Sequence, residues 1–400
     1  MTHPMIEYEN LYGALNYEPL PVVLTRGEGV YVWDDVGNRY IDMMGAYSAV
    51  SHGHCHPKLV QALQKQAAEL NVVSRAFYTD KLGMFLERAC QMTGFAKALP
   101  MNTGAEAIET ALKAVRKWAY QVKGVAADKA EIIVCAGNFH GRTISIISMS
   151  TEAQYRAGFG PLTPGFSVIP YGDAAALEQA ITPHTAAFLV EPIQGEAGII
   201  MPPAGYLKAC AAICKKHHVL MICDEVQTGL GRTGKLLAYQ HEGIQPDGVV
   251  LGKALGGGLL PVSLFLSHKE VMDVFTPGDH GSTFGGNPLA ATVGYVALEV
   301  LVAENLIQRA DELGQYFLAA LNKVPSKLIK AVRGKGLLIG VELVASCSAR
   351  KICLALLKNG VLTKDTHGTV IRFAPPLIIT KEQIDVVVNA LRDVLDESRE

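Results

Sequence analysis

The chain has 400 residues, more than one hydrophobic core usually organises, so a large domain of about 200 to 300 residues with a smaller companion is expected. Its composition, 49% hydrophobic and 18% charged, excludes a disordered chain. Thirty-six basic against thirty-eight acidic residues leave a formal net charge of -2, which argues against nucleic acid or an anionic membrane as partner.

The opening MTHPMIEYEN lacks the basic cluster and apolar run of a secretory leader, so a cytoplasmic location is expected. GVYVWD and RYIDMM flank the turn-forming Asp35 to Asn38, as in a hairpin. Helical periodicity follows over His56 to Leu70, Lys81 to Thr93 and Ala105 to Val122. From residue 131 the short apolar runs EIIVCA, AAFLVEP, VLMICDE and DGVVLGKA alternate with helix-like segments such as GYLKACAAICKKHH, the rhythm of parallel strands buried on both faces. The most apolar stretch, Ala254 to Ser267, is broken by glycines and is shorter than the roughly 18 residues of a membrane span. After Pro288 a helical pattern runs over residues 288–324 and should link two bodies. GLLIGVELV, ARKICLALLKNG, VLTKD, TVIRFAPPL and a last amphipathic helix then form an α+β pattern. The expectation is an α/β protein: a large domain over 46–290 with a mostly parallel, helix-covered sheet, and a smaller α+β domain built from 1–45 and 311–400. Eight cysteines scattered in apolar contexts read as reduced, buried thiols.

Some motifs mislead. Gly229, Gly231 and Gly234 spell GxGxxG, and Gly229 to Lys235 begin a P-loop, but Leu236 stands where magnesium needs Ser or Thr, and the glycines do not open a helix directly from a strand. His52, His54, Cys55 and His56 invite a metal, yet no second ligand pair with zinc-like spacing accompanies them. Cys210, Cys214 and His217 share a helix face with Leu207 and Ala211, the pattern of small thiols packed in a core. No metal site is expected.

Lys253 ends the run DGVVLG, and Asp224 ends VLMICDE 29 residues earlier (253 − 224), about one strand-to-strand crossover. Open α/β sheets present reactive groups at the carboxyl ends of their strands, so an amine and a carboxylate would share one crevice. Pyridoxal 5'-phosphate needs that pair: a lysine to hold its aldehyde as an imine, and an acid to keep the pyridine nitrogen protonated. Gly104 and Ala105 open a strong helix in NTGAEAIETALKAVRKW, whose free N–H groups suit a phosphate dianion, although on these residues alone an ordinary cap by Asn102 or Thr103, with Glu106 in the first turn, is the commoner reading. Thr283, in the glycine-rich HGSTFGGNP, is a second phosphate candidate.

Together, NTGAEA, FHGRT, EPIQGE, DEVQTGLGRTG, GKALGGGLLP and HGSTFGGNP resemble the class III (ω-type) aminotransferases, of the pyridoxal-phosphate-dependent transferase fold type I. Within that family, NYEPLPV, YSAVSHGHCHP and SRAFYTD are most similar to its ornithine-using branch. The resemblance implies that Lys253 carries the cofactor, that Asp224 partners its ring nitrogen, that the Gly104 and Ala105 backbone holds its phosphate, that Phe139 stacks on its ring and that Gln227 bonds its phenolic oxygen. It further implies a homodimer with shared active sites, Thr283 reaching the phosphate of the neighbouring subunit. Tyr17, Tyr47 and Arg142 would hold the far end of the amino donor. Arg372 would bind the carboxylate of 2-oxoglutarate and would be neutralised by Glu196 when a diamine occupies the site. The implied reaction moves the δ-amino group of L-ornithine to 2-oxoglutarate by a ping-pong mechanism; N-acetylornithine or 4-aminobutyrate is the alternative donor. Rivals from other classes are a nicotinamide oxidoreductase resting on Gly229, which would be colourless and bind NAD, and a cofactor-free scaffold.

Overall fold

A computed structural model describes residues 3–398. Three strands near the N-terminus, β1 (Leu24–Glu28), β2 (Tyr31–Asp34) and β3 (Arg39–Asp42), form an antiparallel meander whose last member pairs in parallel with a strand from near the other end of the chain. Seven strands follow: β4 (Lys97–Met101), β5 (Glu131–Cys135), β6 (Phe166–Ile169), β7 (Thr185–Val190), β8 (Leu220–Asp224), β9 (Gly248–Leu251) and β10 (Ser263–Ser267). They build one sheet in the order β4-β10-β9-β8-β7-β5-β6, parallel from β9 to β6 and antiparallel where β10 meets β9 and β4. The remaining strands are β11 (Ile329–Lys335), β12 (Leu338–Leu343), β13 (Val361–Leu362), β14 (Lys364–Thr366) and β15 (Val370–Phe373). Four of them make an antiparallel sheet, β11-β12-β15-β14, while β13 is the partner of β3.

The large sheet is buried on both faces through its inner strands, which carry no polar face to leave wet, while the edge strands β4 and β6 are partly exposed. All six residues of β7 and all five of β8 are buried. Ile132 and Val134 of β5 face the helix Gly104–Trp118, which buries Ile108, Ala111, Leu112 and Val115 against them. Ile133 and Cys135 point the other way, into the core that takes Leu207, Cys210 and Cys214 from the helix Tyr206–Lys216. Each fully covered aliphatic side chain contributes about 1.5–3 kcal/mol. Both β4 and β10 went unread in the sequence: KALPM carries a lysine and a proline, and SLFLS lies inside an apolar stretch with no period of its own.

The single helix expected over 288–324 is two helices, Pro288–Ala303 and Leu306–Asn322, bent by 59°. Asn305 breaks it by adopting φ +52, a left-handed conformation that asparagine tolerates better than most residues. Glu304, beside the break, accepts from His56 Nε2 at 3.2 Å and Lys58 Nζ at 3.1 Å. Replacing Asn305 with glycine should leave stability within about 0.5 kcal/mol, whereas valine should cost roughly 1–2 kcal/mol in urea unfolding. No single helix among the described residues is long and apolar enough to cross a membrane.

The histidine string disperses. His52 Nε2 bonds the Ala297 carbonyl at 2.9 Å, His54 Nε2 lies 2.7 Å from Asp42, and His56 turns to Glu304. Among the described residues no group of three or more His, Cys, Asp or Glu could hold a metal ion.

Candidate active site

β8 and β9 are parallel neighbours in register Asp224↔Val250, so the chain segments leaving both strands emerge at one sheet end. Gly252 follows β9, and Lys253 takes φ +45, a strained conformation for a residue with a Cβ. The result is a cavity of about 190 Å³ lined by Lys253, Asp224, Phe139, Gln227, Gly104 and Ala105, and also by Glu196.

Every wall has a local cause. Thr103 caps the helix Gly104–Trp118 in a capping box: its Oγ1 accepts from the Glu106 N–H at 3.2 Å, and Glu106 Oε2 accepts from the Thr103 N–H at 2.7 Å. That box uses the N–H of Glu106 and leaves those of Gly104 and Ala105 outside it, at the positive end of the helix dipole. The cap therefore does not consume the N–H groups of Gly104 and Ala105, so the two readings of the sequence are compatible. Opposite, Asp224 is fixed by the Val226 N–H at 3.0 Å and by His140 Nδ1 at 2.7 Å. Burial alone would lower the His140 pKa, but the bond to Asp224 and its charge overcome this and raise it. Gln227 lines the cavity, and its Nε2 is buried without a hydrogen-bond partner. Gly195 of EPIQGE is a packing requirement: a Cβ there would lie 1.9 Å from Gln227 Oε1.

Lys253 has its pKa brought down to about 8, first by desolvation and then by the Arg372 charge, against the pull of Asp224, Glu196 and Glu191. Glu191 is pushed up to about 8 by burial, opposed by His140, while its Oε2 accepts the Phe139 N–H at 3.1 Å. In the cofactor-free protein these shifts act on stability with opposite signs. Between pH 4.5 and 8 the folded state binds more protons than the unfolded chain at Glu191, so stability falls as pH rises; between 8 and 10.5 it binds fewer at Lys253, so stability rises. Measured as a difference at each pH, the melting-temperature gain of Glu191→Gln over the parent should grow as pH rises from 4.5 to 8.

Arg372 and Glu196 form a bond of 2.7 Å, Nη1 to Oε2. Burial alone would raise the Glu196 pKa, and the charge and bond of Arg372 more than offset it. The Arg372 guanidinium also lies 4.9 Å from the centre of the Tyr47 ring, and Tyr47 itself stands at φ +58 in a left-handed run. Arg142 stacks 3.5 Å over the Tyr155 ring and 5.4 Å over Phe139. Tyr17 is 70% exposed and 5.8 Å from Lys364 Nζ, outside the cavity wall. Thr283 is exposed and does not line the cavity within its own chain. The sequence reading missed His140 and Glu191, although both stand inside quoted motifs, FHGRT and EPIQGE; neither spacing announces a partner 84 or 52 residues away.

A family model described as Aminotransferase class-III matches residues 12–395. An ornithine aminotransferase from Exiguobacterium is 57% identical over 394 residues, 98% of each chain. Among solved structures, the ornithine aminotransferase of Toxoplasma gondii aligns with a TM-score of 0.97 at 44% identity, covering 100% of this chain and 96% of that one. An acetylornithine aminotransferase from Elizabethkingia anophelis aligns with a TM-score of 0.90 at 50% identity over 98% of both. A match running almost from end to end, on a sheet that brings a lysine and an aspartate into one cavity, leaves one assignment: the chain belongs to the class III aminotransferases, with their fold type I architecture.

Proposed function

We propose that the protein transfers the δ-amino group of L-ornithine to 2-oxoglutarate, giving glutamate 5-semialdehyde and glutamate, with pyridoxal 5'-phosphate as cofactor. The observation that carries this reading is the Arg372–Glu196 pair beside Lys253: a carboxylate receptor that carries its own neutralising group. An oxo acid with a carboxylate next to its reacting carbon needs a free guanidinium; a terminal amine with no such carboxylate needs that charge masked.

The residues present fit the cofactor, since the orphaned Gln227 Nε2, the uncapped N–H groups of Gly104 and Ala105, and Asp224 are a donor, an anion cradle and an acid converging on one cavity. Bound there, pyridoxal phosphate supplies an aldehyde that exchanges amines and a ring that draws electrons from the substrate carbon. Asp224 would hold a proton at the ring nitrogen, and His140 orients Asp224 for it. Phe139 would cover one ring face. Lys253 Nζ, depressed toward neutrality, is suited to take a proton from the substrate carbon and return it. Tyr47, Tyr17 and Arg142 would bind the α-amine and α-carboxylate of ornithine. Thr283, exposed in the single chain, would reach the phosphate across a homodimer interface.

Half-reaction spectra with ornithine, N-acetylornithine and 4-aminobutyrate test the reading. Bleaching of the cofactor band should be at least about 100-fold more efficient, by kcat/KM, with ornithine than with either rival. Turnover of the acetylated donor alone would overturn the substrate assignment.

A further inference from the structure

The 229–234 loop, whose glycines imitate a nucleotide site, carries one side chain that the chemistry above does not use. Arg232 is 0% exposed, its three hydrogen bonds go to no carboxylate, and the charge of Asp42 acts on it only from beyond hydrogen-bond reach. Its guanidinium is instead spent on uncharged oxygens: Nη1 donates to the carbonyls of Leu337 at 3.1 Å and Pro375 at 2.5 Å, and Nη2 donates to Ser51 Oγ at 3.0 Å. Burying a full charge among neutral acceptors is costly, so the contacts it makes need a reason beyond packing.

The partners supply that reason. Pro375 follows Arg372 by three residues, and the adjoining Ala374 N–H donates to the Met43 carbonyl at 2.7 Å. Ser51 follows the left-handed run Ala46, Tyr47, Ser48, at φ +46, +58 and +74; its Oγ donates to the Ser48 carbonyl at 3.1 Å, and its own carbonyl accepts from the Leu377 N–H at 2.8 Å. Two glycines allow the close approach: a Cβ on Gly336, in the turn between β11 and β12, would fall 2.4 Å from the Thr233 carbonyl carbon, and one on Gly234 of the loop would fall 2.8 Å from Asp311 Cβ. One guanidinium thus joins the Tyr47 segment, the segment after Arg372 and the loop that continues from Asp224 and Gln227.

We propose that Arg232 is a positioning residue, a buried clasp that holds Tyr47 and Arg372 in fixed relation to each other and to the Asp224–Gln227 loop, and so sets substrate affinity on both halves of the reaction. The inference rests on the substrate roles given above to Tyr47 and Arg372. Lysine cannot span three oxygens as a planar fork does.

In the holoenzyme, Arg232→Lys should raise KM for both ornithine and 2-oxoglutarate by at least about 10-fold with kcat within about 3-fold, the signature of lost uniform binding. Ser51→Ala, which removes one arm, should raise KM for ornithine about 3- to 10-fold and leave that for 2-oxoglutarate within about 2-fold. Hydrogen exchange in the same proteins without substrate should accelerate at 45–51 and 373–377 and stay unchanged elsewhere. Unchanged KM values in both variants, or exchange that accelerates evenly across the chain, would overturn the clasp. If Arg232→Lys does not accumulate as soluble protein, the Ser51→Ala KM values and exchange decide alone. Exchange needs no substrate, so local loosening in a protein that ignores ornithine would overturn the donor assignment and keep the clasp.

Discussion

Replacing Lys253 with methionine should lower transamination by about 10⁴-fold or more while leaving the folded protein intact. The side chain is asked to do two things at once, to hold the cofactor and to carry a proton, and the carboxylates beside it are engaged elsewhere, Asp224 with His140. Glu191 is committed to the Phe139 N–H, and Glu196 to Arg372. An arginine at 253 should fail equally, because a guanidinium does not release its proton at neutral pH. Stability should move the other way. With its pKa held near 8 by desolvation, Lys253 costs the cofactor-free protein stability at every pH below that value, so Lys253→Met should melt at a higher temperature than the parent at pH 7. Scanning calorimetry of both cofactor-free proteins, beside a turnover assay, separates the effects. A lower melting temperature in the variant would mean that the amine is stabilised by its surroundings rather than strained by them.

Removing the carboxyl group of Glu196 should split the two half-reactions. With Glu196→Ala, Arg372 loses the partner held at 2.7 Å and presents an unmasked charge to any donor lacking an adjacent carboxylate. A charge-assisted bond of this kind is worth about 1.5–3 kcal/mol, so the ornithine half-reaction should slow roughly 10- to 100-fold. The 2-oxoglutarate half-reaction should hold its rate or gain, since the carboxylate no longer competes for the guanidinium. Single-turnover spectra in each direction measure the two rates separately. Equal losses in both directions would remove Glu196 from substrate selection and leave it a structural partner of Arg372.

Much of the catalytic arrangement was legible because its chemistry depends on short-range order. Asp224 and Lys253 terminate consecutive apolar runs one crossover apart, and a parallel sheet buried on both faces writes such runs plainly. The strong helix opening at NTGAEA marked one cavity wall through its free N–H groups, and EPIQGE came to notice only through the family resemblance. What stayed hidden depends on partners that only the fold brings near. His140 meets Asp224 across 84 residues, and Arg232 meets Pro375 across 143, distances at which no periodicity operates. The break at Asn305 was missed for a different reason: AEN contains neither glycine nor proline, and asparagine, though it can end a helix, is a weaker stop signal than either. The antiparallel strand β10 was lost inside an apolar stretch whose composition suits a helix or a strand equally.

The pairing of Ile41 with Val361 carries a consequence for the birth of the molecule. Val361 leaves the ribosome 320 residues (361 − 41) after Ile41, a delay of roughly 16 to 64 s at ordinary elongation rates. Throughout that interval the rim of β3 offers unsatisfied main-chain groups to any nascent polypeptide nearby, while the seven-stranded sheet can complete itself from segments already translated. Premature termination before codon 361 would therefore release a product with a finished seven-stranded sheet, no Arg372 and a sticky, unclosed seam, the kind of species that chaperones and proteases are built to intercept.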